Sequence, residues 1–129
     1  MDTSICVGAL RRVPDVERRL RAFDPSELVL SVITVVELRL GAGLVRTPQV
    51  ARQQVDALID MFDVLTVTRE IAERAAGVGI ELRRRGISLG DFDLLIAATA
   101  MTYDYLILTN NRRFFAVPSL GIQTGKLVR

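Results

Sequence analysis

Three short runs of mostly branched apolar residues, ELVLSV (27–32), DVLTVT (63–68) and YLILT (105–109), alternate along this chain with longer segments whose apolar residues recur at helical spacing. Strands separated by helices cannot pair as hairpins, so each return to the sheet is a crossover. The alternation therefore predicts an α/β fold, a parallel sheet with helices on both faces. Local signals fix the helices. The first runs from about Thr3 to Arg11, and Pro14 stands where a helix tolerates proline, at its first position. VERRLRAF follows with acid early and base late, as a helix dipole prefers. ITVVELRLGAGLV reads as a helix apolar on nearly every side. Thr47 and Pro48 look like the cap and first residue of the next, with Ala51, Val55, Leu58 and Phe62 on one face. Thr68 caps another, whose stripe of Ile71, Ala75, Val78 and Leu82 ends at RRRG. A last helix starts at Asp91 or Asp93, and GIQT is a candidate edge strand. With no repeat, low-complexity run or linker in sight, residues 1–129 read as a single domain.

Two absences limit the chemistry. The chain has no histidine, and Cys6 is its sole cysteine. His-assisted nucleophiles, imidazole or thiolate zinc sites and intrachain disulfides are thereby removed. Cys6 lies in an apolar helical pattern and reads as a small core residue. The longest apolar stretches, such as LLIAATAM, fall short of the roughly 20 residues that a membrane span needs, so a soluble, cytoplasmic protein is expected. Sixteen of the seventeen basic residues are arginine, Lys126 being the exception. Guanidinium forks suit phosphate or carboxylate, which hints at a nucleic acid or acidic partner, although GC-rich codons would produce the same skew.

Active residues in parallel sheets gather at the carboxyl ends of strands. The segments that reach such ends are MDTS, if Met1 closes a first strand, SVITVVE and TNN, while GDFD heads the helix before YLILT. Glu37 is surrounded in its helix by Ile33, Val35, Val36, Leu38 and Leu40, so it needs a cation or donors. A salt bridge to Arg39 is the plain alternative, but Arg39 points off another helical face. Asp93 and Asp91 compete to cap the helix that follows them, and Asp2 alone would read as a cap for the helix starting at Thr3. Taken together, Asp2, Glu37 and Asp93 are expected near one rim of the sheet. Two carboxylates about 4 Å apart repel by on the order of 4 kcal/mol at an effective dielectric of 20, so converging acids need a cation. An all-oxygen donor set selects Mg²⁺ or Mn²⁺, and metal-dependent phosphodiester hydrolysis is the natural consequence.

MDTSI, SVITVVELRLGA, GDFDLLIAATA and LILTNNRRFFAVPSLGI, in this order and spacing, resemble the PIN-domain ribonucleases, specifically the VapC-type toxins of bacterial toxin-antitoxin pairs. The resemblance runs from Asp2 to about Ile122. It implies a three-layer α/β fold with a short parallel sheet of about four to five strands flanked by helices. It also implies a Mg²⁺ or Mn²⁺ site, cleavage of RNA and inhibition by a cognate antitoxin. The family's acids fall on Asp2, Glu37 and Asp93. Thr3 or Ser4 matches the hydroxyl after the first acid, and Thr109 the hydroxyl after the fourth strand. A fourth acidic position falls where this chain has Asn111, which leaves three firm anions with Asp91 as a possible supplement.

Arg112 and Arg113, directly after these amides, are candidates for RNA phosphates or for the antitoxin's acidic groups. Arg83, Arg84 and Arg85 read as a solvated helix end, and Phe114 and Phe115 as core or interface residues. The apolar faces between Ile33 and Phe62 would, by resemblance, serve homodimerisation and an antitoxin groove. In similar proteins several apolar residues precede the first acid and form a central strand. Here Met1 alone precedes it, so an upstream start is expected. The alternatives are a non-catalytic PIN-like RNA- or protein-binding module and, remotely, a phospho-receiver domain. The latter wants an acidic pair after the first strand and an acceptor aspartate after a middle one, and neither is present.

Overall fold

The computed structural model describes residues 1–123. They form two compact units, Met1–Leu65 and the chain from Thr66 onward. The first contains α1 (Thr3–Leu10), α2 (Pro14–Leu20), β1 (Val29–Ser31), α3 (Val32–Gly43), α4 (Pro48–Ile59) and β2 (Asp63–Leu65). Pro14 and Pro48 both occupy first helical positions, as their fixed φ and missing N–H favour. β1 and β2 pair in parallel, Val29 opposite Asp63 and Ser31 opposite Leu65. Ser31 then turns the chain into α3, its Oγ accepting the Ile33 amide at 3.1 Å. Because strand passes into helix without a loop, α3 starts directly at the carboxyl end of β1.

Cys6, Leu30, Leu38, Ala42 and Val55 form the core of this unit, with Ala51, Leu58 and Phe62 of the predicted α4 face packed against it. Burying one large aliphatic side chain in such a cluster contributes roughly 1.5–3 kcal/mol. Cys6 is the expected core residue, and burial pushes its thiol up to about 12, which leaves it inert at neutral pH. The opposite stripe of α3, Val36, Leu40 and Leu44, is exposed.

The second unit contains α5 (Arg69–Arg84), α6 (Asp91–Thr102), β3 (Ile107–Leu108) and β4 (Ile122–Gln123). Thr68 caps α5 by accepting the Ile71 amide at 3.2 Å, and the predicted stripe Ile71, Ala75, Val78 and Leu82 is buried. α5 closes at Gly86, whose φ of +75° is open to glycine at no steric cost, while the Ile87 amide donates to the Leu82 carbonyl at 2.9 Å. α6 buries Leu94, Ile96 and the small residues Ala97 to Ala100. β3 and β4 pair in parallel, Ile107 opposite Ile122.

Three expectations change. The described strands form two separate parallel pairs, β1 with β2 and β3 with β4, instead of one sheet of four to five strands. Met1 and Asp2 form no strand. The Met1 amino group instead donates to the Val29 carbonyl of β1 at 2.9 Å. A 3-10 turn at Pro25–Glu27, closed by the reciprocal Asp24 and Glu27 capping box, precedes β1 and shortens the strand read from ELVLSV. GIQT is paired through Ile122 and Gln123, and Thr124 lies outside the described residues. Among the described residues no helix is long and apolar enough to cross a membrane.

Candidate active site

Asp2 is the N-cap of α1, with extended backbone (φ −86°, ψ 177°). Its Oδ1 accepts the Ile5 amide at 3.2 Å and the Ser4 hydroxyl at 2.6 Å. Capping therefore is one of its roles, as the sequence allowed. A solvent-facing residue performs that role at little cost, whereas Asp2 is only 3% exposed. A carboxylate so far from water needs charge compensation beyond two neutral donors.

Glu37 stands in the middle of α3, half-buried. Thr3 Oγ1 donates to its Oε1 at 2.7 Å, which ties α3 to the residue next to Asp2. The alternative partner is excluded: Arg39 bonds Asp56 of α4 at 2.9 Å. One turn before Glu37, the buried Thr34 hydroxyl has no hydrogen-bond partner among the described residues. The first turn of α1 thus serves both carboxylates of this unit, Ser4 donating to Asp2 and Thr3 to Glu37.

In the second unit the cap of α6 is Gly90, so neither acid of GDFD caps it. Asp91 and Asp93 occupy the first and third helical positions, where the dipole favours negative charge, and Asp93 is the less exposed. Asp91 also lines a cavity of about 370 Å³ together with Arg83 and apolar residues of α5 and α6. Beyond β3, the buried Thr109 Oγ1 accepts the Asn111 amide at 2.8 Å. Asn111 Oδ1 in turn accepts the Arg113 amide at 3.0 Å and caps the 3-10 turn Arg112–Ala116. The amide standing at the family's fourth acidic position is thus used to shape the loop. Phe114 is fully buried and Phe115 exposed, so the aromatic pair divides between core and surface. Arg112 and Arg113 are exposed.

The donors fit a hard divalent cation by chemistry: carboxylate and hydroxyl oxygens, with no imidazole in the chain and its one thiol, Cys6, buried and protonated. Among the described residues no group of three or more acidic or thiol side chains is close enough to hold an ion. Two residues of this region escaped the sequence reading. Arg19 is buried although the flanking Arg18 and Leu20 are not, and its spacing of three from the buried Val16 is the one signal. Thr34, a hydroxyl in an apolar helix three residues before Glu37, carried the same kind of signal.

The model of the PIN domain family matches residues 1–120. The chain belongs to the PIN-domain family. This PIN domain is 29% identical over 115 residues to the tRNA(fMet)-specific endonuclease VapC of Shigella flexneri, covering 89% of this chain and 87% of that protein. It is 31% identical over 127 residues to Ribonuclease VapC4 of Mycobacterium tuberculosis, covering 95% and 93%. Among solved structures it is similar to a chain of the DNA-bound VapBC crystal structure from Salmonella typhimurium, with a TM-score of 0.89 at 27% identity over 97% of this chain and 96% of that one.

Proposed function

We propose that this PIN domain is an endoribonuclease toxin of the VapC type. It hydrolyses RNA phosphodiester bonds with a Mg²⁺ or Mn²⁺ ion and is silenced by a cognate antitoxin. The relatives named endonuclease and ribonuclease support the activity, and the likeness to VapBC supports the antitoxin. The observation that carries the site is the Thr3–Glu37 bond, which holds the acid of α3 against the residue beside buried Asp2. By resemblance to the family, the acids that would supply the negative charge a cation requires are Asp2 and Glu37 in the first unit and Asp93 in the second. Ser4 and the Ile5 amide fix the rotamer of Asp2, and Thr3 fixes that of Glu37. When bound, a divalent cation makes hydroxide available from water near neutral pH and stabilises the charge that builds on phosphate during displacement.

Glu37 also lines a groove of about 260 Å³ with Arg11, Gln54 and a larger apolar share that includes Val7, Leu10, Leu38, Ala42 and Val45. An antitoxin segment with apolar side chains for this groove and a basic group for Glu37 would cover the acid as it docks. The test is RNA cleavage with Mg²⁺ or Mn²⁺, with and without EDTA, by the wild type and Asp93→Asn. Cleavage should require the metal and vanish in the variant, while the antitoxin still binds. Equal activity in EDTA, or in Asp93→Asn, would sink the proposal. Loss of cleavage by every form with RNA binding intact would favour the non-catalytic module.

A further inference from the structure

α1 and α2 are successive helices joined by the short turn 11–13 and packed on each other. The Val13 amide closes the turn on the Gly8 carbonyl at 2.9 Å, and Val16 Cγ2 lies 2.6 Å from where a Cβ on Gly8 would be. Arg19, three residues beyond Val16, lies on the same face of α2, the face that packs on α1, whose first turn Asp2 caps. Burial agrees with this placement. Arg19 is 8% exposed, while Arg18 and Arg21 are 75% and 79% exposed.

A guanidinium taken out of water needs a carboxylate to offset the cost. Asp15, on its own helix, is 4.0 Å away and 49% exposed, a long and solvated pairing. Asp2 is buried and has the complementary need. Burial lowers the pKa of Arg19, and the charges of Asp15 and Asp2 oppose that effect, so the field of Asp2 reaches the guanidinium.

We propose that Arg19 is the resident counter-cation of Asp2, holding the buried carboxylate in place without metal and sharing its charge with the metal when one binds. The first half stands on the helix pair alone, and the second rests on the metal-nuclease reading. Thermal unfolding in EDTA tests the first half with Arg19→Met, Asp2→Asn, Asp15→Asn and the two doubles that contain Arg19→Met. Arg19→Met should lower Tm by about 5–10 °C. In the Asp2→Asn background it should cost less than half of that, and in the Asp15→Asn background nearly all of it. Additivity with Asp2→Asn, or coupling to Asp15 alone, overturns the assignment.

If Arg19→Met does not fold, Arg19→Lys reads the same coupling. Losing the fork should cost Tm in the wild-type background and nothing where residue 2 is asparagine, and an equal cost in both would overturn it. Neither RNA nor metal enters these cycles, so their result is independent of whether the chain cuts RNA. Adding Mn²⁺ tests the second half: it should raise the Tm of Arg19→Met by more than that of the wild type. An equal or smaller rise overturns the sharing of charge while leaving the cycles to stand.

Discussion

The Thr3 hydroxyl joins the start of α1 to Glu37 through a single hydrogen bond of 2.7 Å. Thr3→Val keeps the shape and removes the donor, leaving a half-buried carboxylate to find another orientation. By analogy with groups that orient metal ligands, RNA cleavage should fall about 10–100-fold, with Tm little changed and Thr3→Ser close to wild type. A valine variant that cuts at the wild-type rate would show that Glu37 is oriented by something else. Composition and spacing singled out each of these residues but could not assign partners. MDTS offers two adjacent hydroxyls, and which of them serves which acid depends on where α3 lies, a long-range fact. Arg39 is the same case: Glu37 is two residues away in sequence, yet the guanidinium bonds Asp56, brought close by the packing of α4. Arg19 was hard to read for a related reason, since its spacing of three from Val16 is the one mark of which arginine in ERRLR faces inward.

At the scale of elements, the α1–α2 packing depends on a missing side chain. A Cβ on Gly8 would lie 2.6 Å from Val16 Cγ2, closer than carbon atoms pack, so the helices approach as they do because residue 8 is glycine. Gly8→Ala gains up to about 1 kcal/mol of helix propensity and incurs about 1–3 kcal/mol of overpacking. The net effect should be a lower midpoint in denaturant, recovered in part when Val16→Ala makes room. A more stable Gly8→Ala single variant would mean that the helix pair relaxes freely. Helix limits were legible because their signals are local: Pro14 and Pro48 at first positions, Thr68 as a cap, Gly86 as a terminator. Sheet order was not. ELVLSV, DVLTVT and YLILT announce extended, branched chain, but only two or three residues of each pair, and the choice of neighbour is made by contacts far apart in sequence. The Asp24–Glu27 box was written in DPSE and shortened β1 by the same kind of local rule.

For the whole molecule, a formal charge of +2 is too small to attract RNA by itself, so binding must rely on where the arginines stand. Many of them are engaged within the chain: Arg18 with Asp15, Arg39 and Arg52 with Asp56, Arg69 with Glu73, Arg85 with Glu81. Arg112 and Arg113 stand exposed at the head of a 3-10 turn, directly after the buried Thr109 and its capping neighbour Asn111. If they meet RNA phosphates, each contact releases bound counterions, and the logarithm of affinity falls with the logarithm of salt by about 0.7 per contact on a single strand. The measurement is RNA binding by Asp93→Asn, which should hold its substrate uncut, over a range of salt. Adding Arg112→Ala and Arg113→Ala should weaken binding at low salt and reduce the slope by about 1.4, two contacts at about 0.7 each. Arg69→Ala, which removes an arginine already paired with Glu73, should leave the slope unchanged. A slope unaffected by the Arg112 and Arg113 changes, together with weaker antitoxin binding, would move these two arginines from the RNA path to the antitoxin interface.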